Sequence, residues 1–390
     1  MTTFSTRAAQ AEMSFPDPPR RAEQQLARRL ARASVSGKPV DSLPRSAGFN
    51  WEHFAEYCHE QGLSGLLYSQ LRTHASVVPP AVLQEFQHHY QWNQASHVVC
   101  SSELLAVSAR LQREGIRFLL LRGGALAEEV YADGGLRPYG DIDLVFDPEN
   151  RKRVRDLFCR NGYSPKANYP NSLVKAGVEL DLHGDVLNRD RILSRCSFFS
   201  AGGAELFDSA RQLHIEGQSI RVPDRESGLI LLALHLVKHD FAQIIWWVDI
   251  ASSIARFRDQ LDWDRLERLA QRWQCLGPVR FVLRRVAADY SAPIPVQWLD
   301  HLRADHTAGF FERKLDRAFD RHIAIQGASH LLLLPSMTVR QKLRYLREVV
   351  LPEPQARLQI AGDSSRGSFV WNRIGKSCEL AKGCFKLMTG

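Results

Sequence analysis

Apolar residues recur at helical spacing from Trp51, through Phe54, Cys58, Leu63, Leu66, Leu67 and Leu71, and Pro79-Pro80 then opens a long helix running to about Arg113. At Gly115 the period changes. Ile116 to Leu121 predicts a buried strand, Ala125 to Tyr131 a short helix, and Asp141 to Phe146 a second strand. Pro148 starts a helix that Asn161-Gly162 stops after Arg160, and Ser172 to Ala176 and Val178 to Val186 predict two more strands joined through Gly177. A short stretch near His214 to Val222 follows, and helices return from Arg225 to about Tyr290. Pro293 and Pro295 mark a break, and Pro352 and Pro354 a hinge in a further helical segment. The order strand, helix, strand, helix, strand, strand predicts an α+β chain with a small mixed sheet between helical lobes.

Five segments follow: a disordered or weakly held N-terminal stretch over 1–46, with at most a weak helix around Ala22 to Ala33; a helical leading lobe over 47–115; an α/β core over 116–222; a helical lobe over 223–300; and a basic helical extension over 301–390. The chain has no internal repeat.

Inside the second strand, Gly140-Asp141-Ile142-Asp143-Leu144-Val145-Phe146 places two carboxylates two residues apart. On a strand they share a face and lie about 7 Å apart along the chain. An isolated Asp-x-Asp is more simply a solvated edge strand or turn. Here the apolar neighbours argue for burial, and buried like charges repel unless a cation or a proton compensates them. Within Val178-Glu179-Leu180-Asp181-Leu182-His183-Gly184-Asp185 every second residue is polar, so Glu179, Asp181, His183 and Asp185 share a face. A half-exposed strand is the commoner fate of such alternation. If the two polar faces meet, Asp181 supplies a third carboxylate, as metal ligand or as base for an attacking hydroxyl. Two magnesium ions spaced about 3.5–4 Å apart suit such oxygen ligands, and manganese suits them too.

Gly123-Gly124 ends the first strand just before a predicted helix, where bare backbone can approach a phosphate. Most Gly-Gly pairs are simply turns. Arg122 precedes the glycines and Arg137 precedes the Asp strand, and a guanidinium binds phosphate oxygens bidentately. Of the two, Arg137 is the stronger candidate, because its loop leads straight into the carboxylates. His183 either orients a carboxylate or is a hydrogen-bonded structural histidine. His235, Lys238 and His239 lie on one helix with Asp249 further on, and are candidates for the acceptor side. The two histidines lack the Glu that a zinc-protease helix needs after its first His.

Composition narrows the partners little. Lys and Arg number 51 against 43 Asp and Glu, a net charge of +8 that suits anionic partners and is spread too diffusely to select one. Arg151-Lys152-Arg153-Arg155 is most simply the solvated side of its helix, and the stretch from Arg373 to Lys386 is either ordinary surface or a basic amphipathic helix touching a membrane. Seven cysteines without a closely spaced pair fit a reducing cytoplasm. Charged residues interrupt the longest apolar stretch, so no transmembrane helix is expected.

The segments Leu119 to Ala127 and Leu136 to Val145, followed by Asp181-Leu182-His183, resemble a bacterial family of uncharacterised nucleotidyltransferases, distant members of the polymerase-β-type superfamily. The resemblance is specific over about 116–185 and looser from Trp51 to Tyr290. It implies that Gly123 and Gly124 cradle phosphate, that Asp141 and Asp143 hold magnesium, and that Asp181 is the third catalytic carboxylate. Arg122 stands where the family commonly has Lys, and an arginine cannot give up a proton at working pH. The implied activity moves a nucleoside monophosphate from a nucleoside triphosphate to a hydroxyl or phosphate of a small-molecule, glycan or peptide acceptor, releasing pyrophosphate. The rival is a scaffold that kept the fold and binds nucleotide without turnover. A polymerase or tRNA-modifying activity calls for a nucleic-acid module that the sequence lacks.

Overall fold

The computed structural model describes residues 21–45, 48–167, 169–183, 203–304, 310–320, 332–333 and 337–350. Asp185, the basic stretch from Arg373 to Lys386 and residues 1–20 lie outside these. Four helices come first: α1 (Arg21–Ser36), α2 (Trp51–Glu60), α3 (Ser64–Leu71) and α4 (Pro80–Arg113). The α/β part comprises β1 (Phe118–Leu120), α5 (Arg122–Glu129), β2 (Asp141–Phe146), α6 (Arg151–Arg160), β3 (Ser164–Lys166), β4 (Tyr169–Lys175) and β5 (Val178–His183). Then follow α7 (Gly203–Asp208), a hairpin of β6 (Arg211–Ile215) and β7 (Gln218–Val222), and the helices α8 (Arg225–Lys238), α9 (Ile244–Phe257), α10 (Trp263–Arg272), α11 (Leu276–Tyr290), α12 (Val296–Ala304), α13 (Phe310–Asp320) and α14 (Val339–Val350).

The predicted α+β class holds: one mixed sheet of five strands in the order β1-β2-β5-β4-β3 lies among helices. Only β2 and β5 are parallel; the other neighbours run antiparallel. The parallel pairing sets Asp143 opposite Asp181 and Asp141 opposite Glu179, so their side chains leave one face of the sheet. Ile142, Leu144, Phe146, Leu180 and Leu182 leave the other face into a core shared with α4 and α6. Alternation along two adjacent strands thus sorts carboxylates from core.

Three local differences from the expected elements have local causes. Strand β3 carries Pro165 and ends the sheet, the position where a missing N–H costs nothing. The stretch near His214 to Val222 is a hairpin of its own, turned at Glu216 and Gly217, both at positive φ. The helix expected from Ala125 begins at Arg122, so both glycines sit inside its first turn.

The N-terminal stretch is a packed helix from Arg21 onward, where disorder or a weak helix was expected. Leu26 and Leu30 are buried against the helices around α9 and α11, a burial worth about 3–6 kcal/mol for two leucines. Glu23 is fully buried and accepts from the Asn50 backbone N–H at 3.1 Å, while the Asn50 side chain caps α2. Helices α1 to α3 and α8 to α11 share one apolar core, so the leading and trailing helices pack together. The 34-residue α4 joins the two cores: Val82 and Phe86 enter the helical one, Leu104 and Leu111 the one under the sheet.

That long helix also fixes the loop entering β2. Asn93 donates to the Gly135 carbonyl at 3.1 Å and Tyr90 to Asp133 at 2.6 Å. A Cβ on Gly135 would lie 2.4 Å from the Tyr90 ring and one on Gly65 would lie 2.1 Å from the Gly135 oxygen, so both glycines allow close approach. Among the described residues no helix is long and apolar enough to cross a membrane. The four described cysteines, Cys58, Cys100, Cys159 and Cys275, are free thiols.

Candidate active site

Three elements converge on the acidic face of the sheet. Strands β2 and β5 carry Asp141, Asp143, Asp181 and His183, and α5 contributes Arg122 from its first position. Arg122 has φ 45°, a left-handed conformation that a side-chain-bearing residue adopts at a cost, between the end of β1 and the helix.

The Arg122 guanidinium lies in the centre. Its Nη2 donates to Asp143 Oδ1 at 2.5 Å and stands 2.7 Å from His183 Nε2, while its Nη1 stands 2.6 Å from His235 Nδ1. His183 Nε2 is also 2.7 Å from Asp143 Oδ1 and 3.3 Å from Asp181 Oδ2. One ring nitrogen cannot both accept from Arg122 and donate to Asp143. With Nε2 protonated, Asp143 Oδ1 accepts from both His183 and Arg122; with Nε2 bare, His183 accepts from Arg122 instead.

The electrostatics divide the three acids. Burial would raise Asp143, but the Arg122 guanidinium and the His183 hydrogen bond outweigh it and hold the carboxyl at about 2, with Lys238 adding to the same effect. Asp141 goes the other way, to about 7, through burial and the adjacent Asp143 carboxylate. Asp141 is open to water at the start of β2, as is 38% of the Asp181 side chain. Neighbouring protein atoms nonetheless crowd both carboxyls, and that crowding raises them. Asp181 is likewise raised, first by burial and then by Asp143, against the pull of His183. Burial and the neighbouring Arg122 push His235 well below the usual imidazole range, so it is neutral and its Nδ1 accepts.

The donor set fits a hard divalent cation. Asp143, Asp181 and His183 offer ligand atoms all within 4.8 Å of one another, two of the three are carboxylates, and no thiolate competes. The raised Asp141 and Asp181 carboxyls point the same way, since they mark negative charge that Arg122 and Lys238 do not balance. Arg122 holds the centre of this cluster, so a cation bound by Asp143 requires the guanidinium to move off that oxygen.

The remaining sequence candidates divide between this cluster and the framework. Arg137, ranked above Arg122 on sequence, bonds to the framework and reaches Asp141 only through its charge: Nε and Nη2 clamp Asp249 at 2.9 and 3.0 Å, and Nη1 donates to the Pro138 carbonyl at 2.7 Å. Asp249 is buried on α9 and also accepts from Tyr131 at 2.7 Å, a packing role in the framework. Gly123 and Gly124 are both buried, and each has a packing role. A Cβ on Gly123 would lie 3.1 Å from Arg137 Nη1, and one on Gly124 would lie 2.7 Å from the Tyr139 hydroxyl. Their N–H groups, in the first helical turn, have no intrahelical acceptor. His235 and His239 pack on the Trp246 ring, with centroids 5.0 and 5.2 Å away.

Sequence reasoning missed the extension of the polar face across β3 and β4. Lys166 Nζ lies 2.9 and 2.7 Å from the two Glu179 oxygens, and Ser172 also donates to Glu179. Only the strand order brings them together. Trp246 was missed as well, although its place one helix beyond His235 in an aromatic pair was a visible signal.

A family model described as uncharacterised nucleotidyltransferase matches residues 47–290. Among solved structures, the chain is similar to an antigenic nucleotidyltransferase-like protein from Paracoccidioides brasiliensis, at 15% identity and a TM-score of 0.34, over 51% of this chain and 93% of that one. A comparison with curated proteins finds no match.

Proposed function

This chain belongs to the uncharacterised nucleotidyltransferase family, and from that premise we propose that it transfers a nucleoside monophosphate from a nucleoside triphosphate to an acceptor hydroxyl or phosphate, releasing pyrophosphate. The observation that carries the reading is the meeting of Asp143 and Asp181 across parallel strands, with Asp141 one step along the same face. Asp141, Asp143 and Asp181 would hold magnesium, which would supply charge neutralisation for the triphosphate during an in-line displacement.

The chain's own residues supply the rest. Asp181, with a raised carboxyl and an open side, accepts the proton of the attacking hydroxyl. Arg122 exchanges Asp143 for phosphate oxygens, its fork matching either partner. Neutral His235 holds the Nη1 end of that guanidinium during the exchange. The N–H groups of the first turn of α5 face anions with a favourable dipole. Lys238 adds positive charge from α8. The acceptor is a small molecule, glycan or peptide.

A specific observation favours a second reading. Arg122 already compensates Asp143 with no metal, which is how a scaffold that binds nucleotide without turnover would be stabilised. Pyrophosphate release from each of the four nucleoside triphosphates, with magnesium and with EDTA, separates the two. Magnesium-dependent release abolished in Asp143→Asn and Asp181→Asn supports transfer, and nucleotide binding with no release under any condition supports the scaffold.

A further inference from the structure

Helices α5, α8 and α9 border a pocket of about 570 Å³ of empty space, counted to its open mouth, with Arg122 in its wall. Its walls are apolar, with Leu126, Val222, Leu229, Leu232 and Phe257 among them. Arg225 stands at its rim, half-buried, with its guanidinium 4.8 Å from the Phe257 ring centre.

No carboxylate among the described residues bonds to that guanidinium. Glu129 gives both oxygens to Arg211 in a bidentate pair. Asp224 accepts from Ser209, from the Ser227 N–H and hydroxyl, and from Arg265. Glu226 accepts from the Asp262 N–H and from Arg265. Every carboxylate near Arg225 is thus engaged elsewhere, and among the described residues Arg225 has no hydrogen-bond or ion-pair partner. Arg211 and Arg256 repel it, and Glu129 and Glu226 attract it only through space.

Gly228 adds an independent argument. It lies inside α8 and lines the pocket, and a Cβ built on it would meet nothing within 4 Å. Glycine in a helix interior costs about 1 kcal/mol relative to alanine. No neighbouring atom demands it, and the space it keeps open belongs to the pocket.

We propose that this pocket binds a small carboxylate with an apolar body, its chain between Leu126, Leu229 and Leu232 and its anionic end on Arg225. An apolar cavity with one unpaired cation at the rim selects that chemistry over a neutral or cationic molecule of equal length. The site adjoins the acidic cluster at Arg122 but does not depend on nucleotide turnover. Leu121 and Arg122 form part of its wall, so an occupant touches the residue that reaches Asp143.

The test uses the full chain with octanoate, octanol and octylammonium as probes, read by calorimetric titration and by thermal midpoint. Octanoate binds saturably and raises the midpoint, at least tenfold more tightly than either control. Arg225→Gln, which removes the charge and keeps the cavity, weakens octanoate to the level of octanol. Gly228→Leu, which fills the space on a helix made more stable, abolishes binding while the unliganded midpoint is kept or raised. Equal binding of all three probes, octanoate affinity unchanged in either variant, or no saturable octanoate binding overturns the proposal.

Discussion

Arg122 Nη2 donates to Asp143 Oδ1 at 2.5 Å, with 15% and 7% of the two side chains exposed, so the carboxylate best placed to hold a cation is already paired with a guanidinium. A pair this buried is weak evidence for stability as a unit, but removing one partner strands the other.

Arg122→Ala therefore leaves Asp143 without its main counter-charge and destabilises the metal-free protein by about 3–5 kcal/mol. Urea unfolding in EDTA measures the loss. Magnesium recovers much of it if the ion takes the guanidinium's place beside Asp143, and equal loss with and without magnesium refutes that exchange.

Asp141 sets a pH dependence. Its carboxyl is raised from the unfolded range near 4 to about 7, so the folded protein binds a proton that the unfolded chain has released. Stability from this group is full below pH 4 and is lost as pH rises through 7. Asp141→Asn accordingly raises the thermal midpoint in EDTA at pH 8, with the advantage shrinking towards pH 5. Asp143 has the opposite sign: held at about 2, it contributes stability above pH 4 that is lost as pH falls through 2. A midpoint difference for Asp141→Asn that does not vary with pH contradicts the assignment.

The fold and the shared face of Asp141, Asp143 and Asp181 were largely legible in the sequence, for a local reason. Period-two alternation in Asp141 to Phe146 and in Val178 to His183 reports which residues share a face, and two short strands in one unit readily pair. Partners far along the chain are not legible in this way. Arg137 stands in the loop that runs into Asp141, yet it pairs with Asp249, 112 residues away on α9. The N-terminal helix carries small and charged residues whose burial depends on surfaces supplied by α9 and α11.

The Arg137 clamp should behave as framework. Asp249→Ala strands a buried guanidinium and costs about 3–5 kcal/mol in urea unfolding, while Arg137→Met with Asp249→Leu recovers most of that. Additive losses in this double-mutant cycle would show that the clamp is not a coupled pair.

Gly124 and Tyr139 make a second coupled pair. Gly124→Ala brings a methyl 2.7 Å from the tyrosine hydroxyl and destabilises by about 1–3 kcal/mol. The Tyr139 hydroxyl is buried with no hydrogen-bond partner among the described residues, so Tyr139→Phe alone is neutral or stabilising. Combining the two recovers part of the Gly124→Ala loss in thermal unfolding. No recovery would place the clash on Leu120, whose Cδ1 lies 3.0 Å from the same Cβ.

Manganese binding followed by electron paramagnetic resonance, with a non-hydrolysable triphosphate present, tests the acidic cluster most directly. Wild-type protein should bind the ion and the triphosphate together, and Asp143→Asn and Asp181→Asn, folded by circular dichroism, should each lose at least tenfold in ion affinity. Unchanged manganese affinity in both variants, or triphosphate binding as tight in EDTA as with the ion, would contradict a metal site built from these carboxylates.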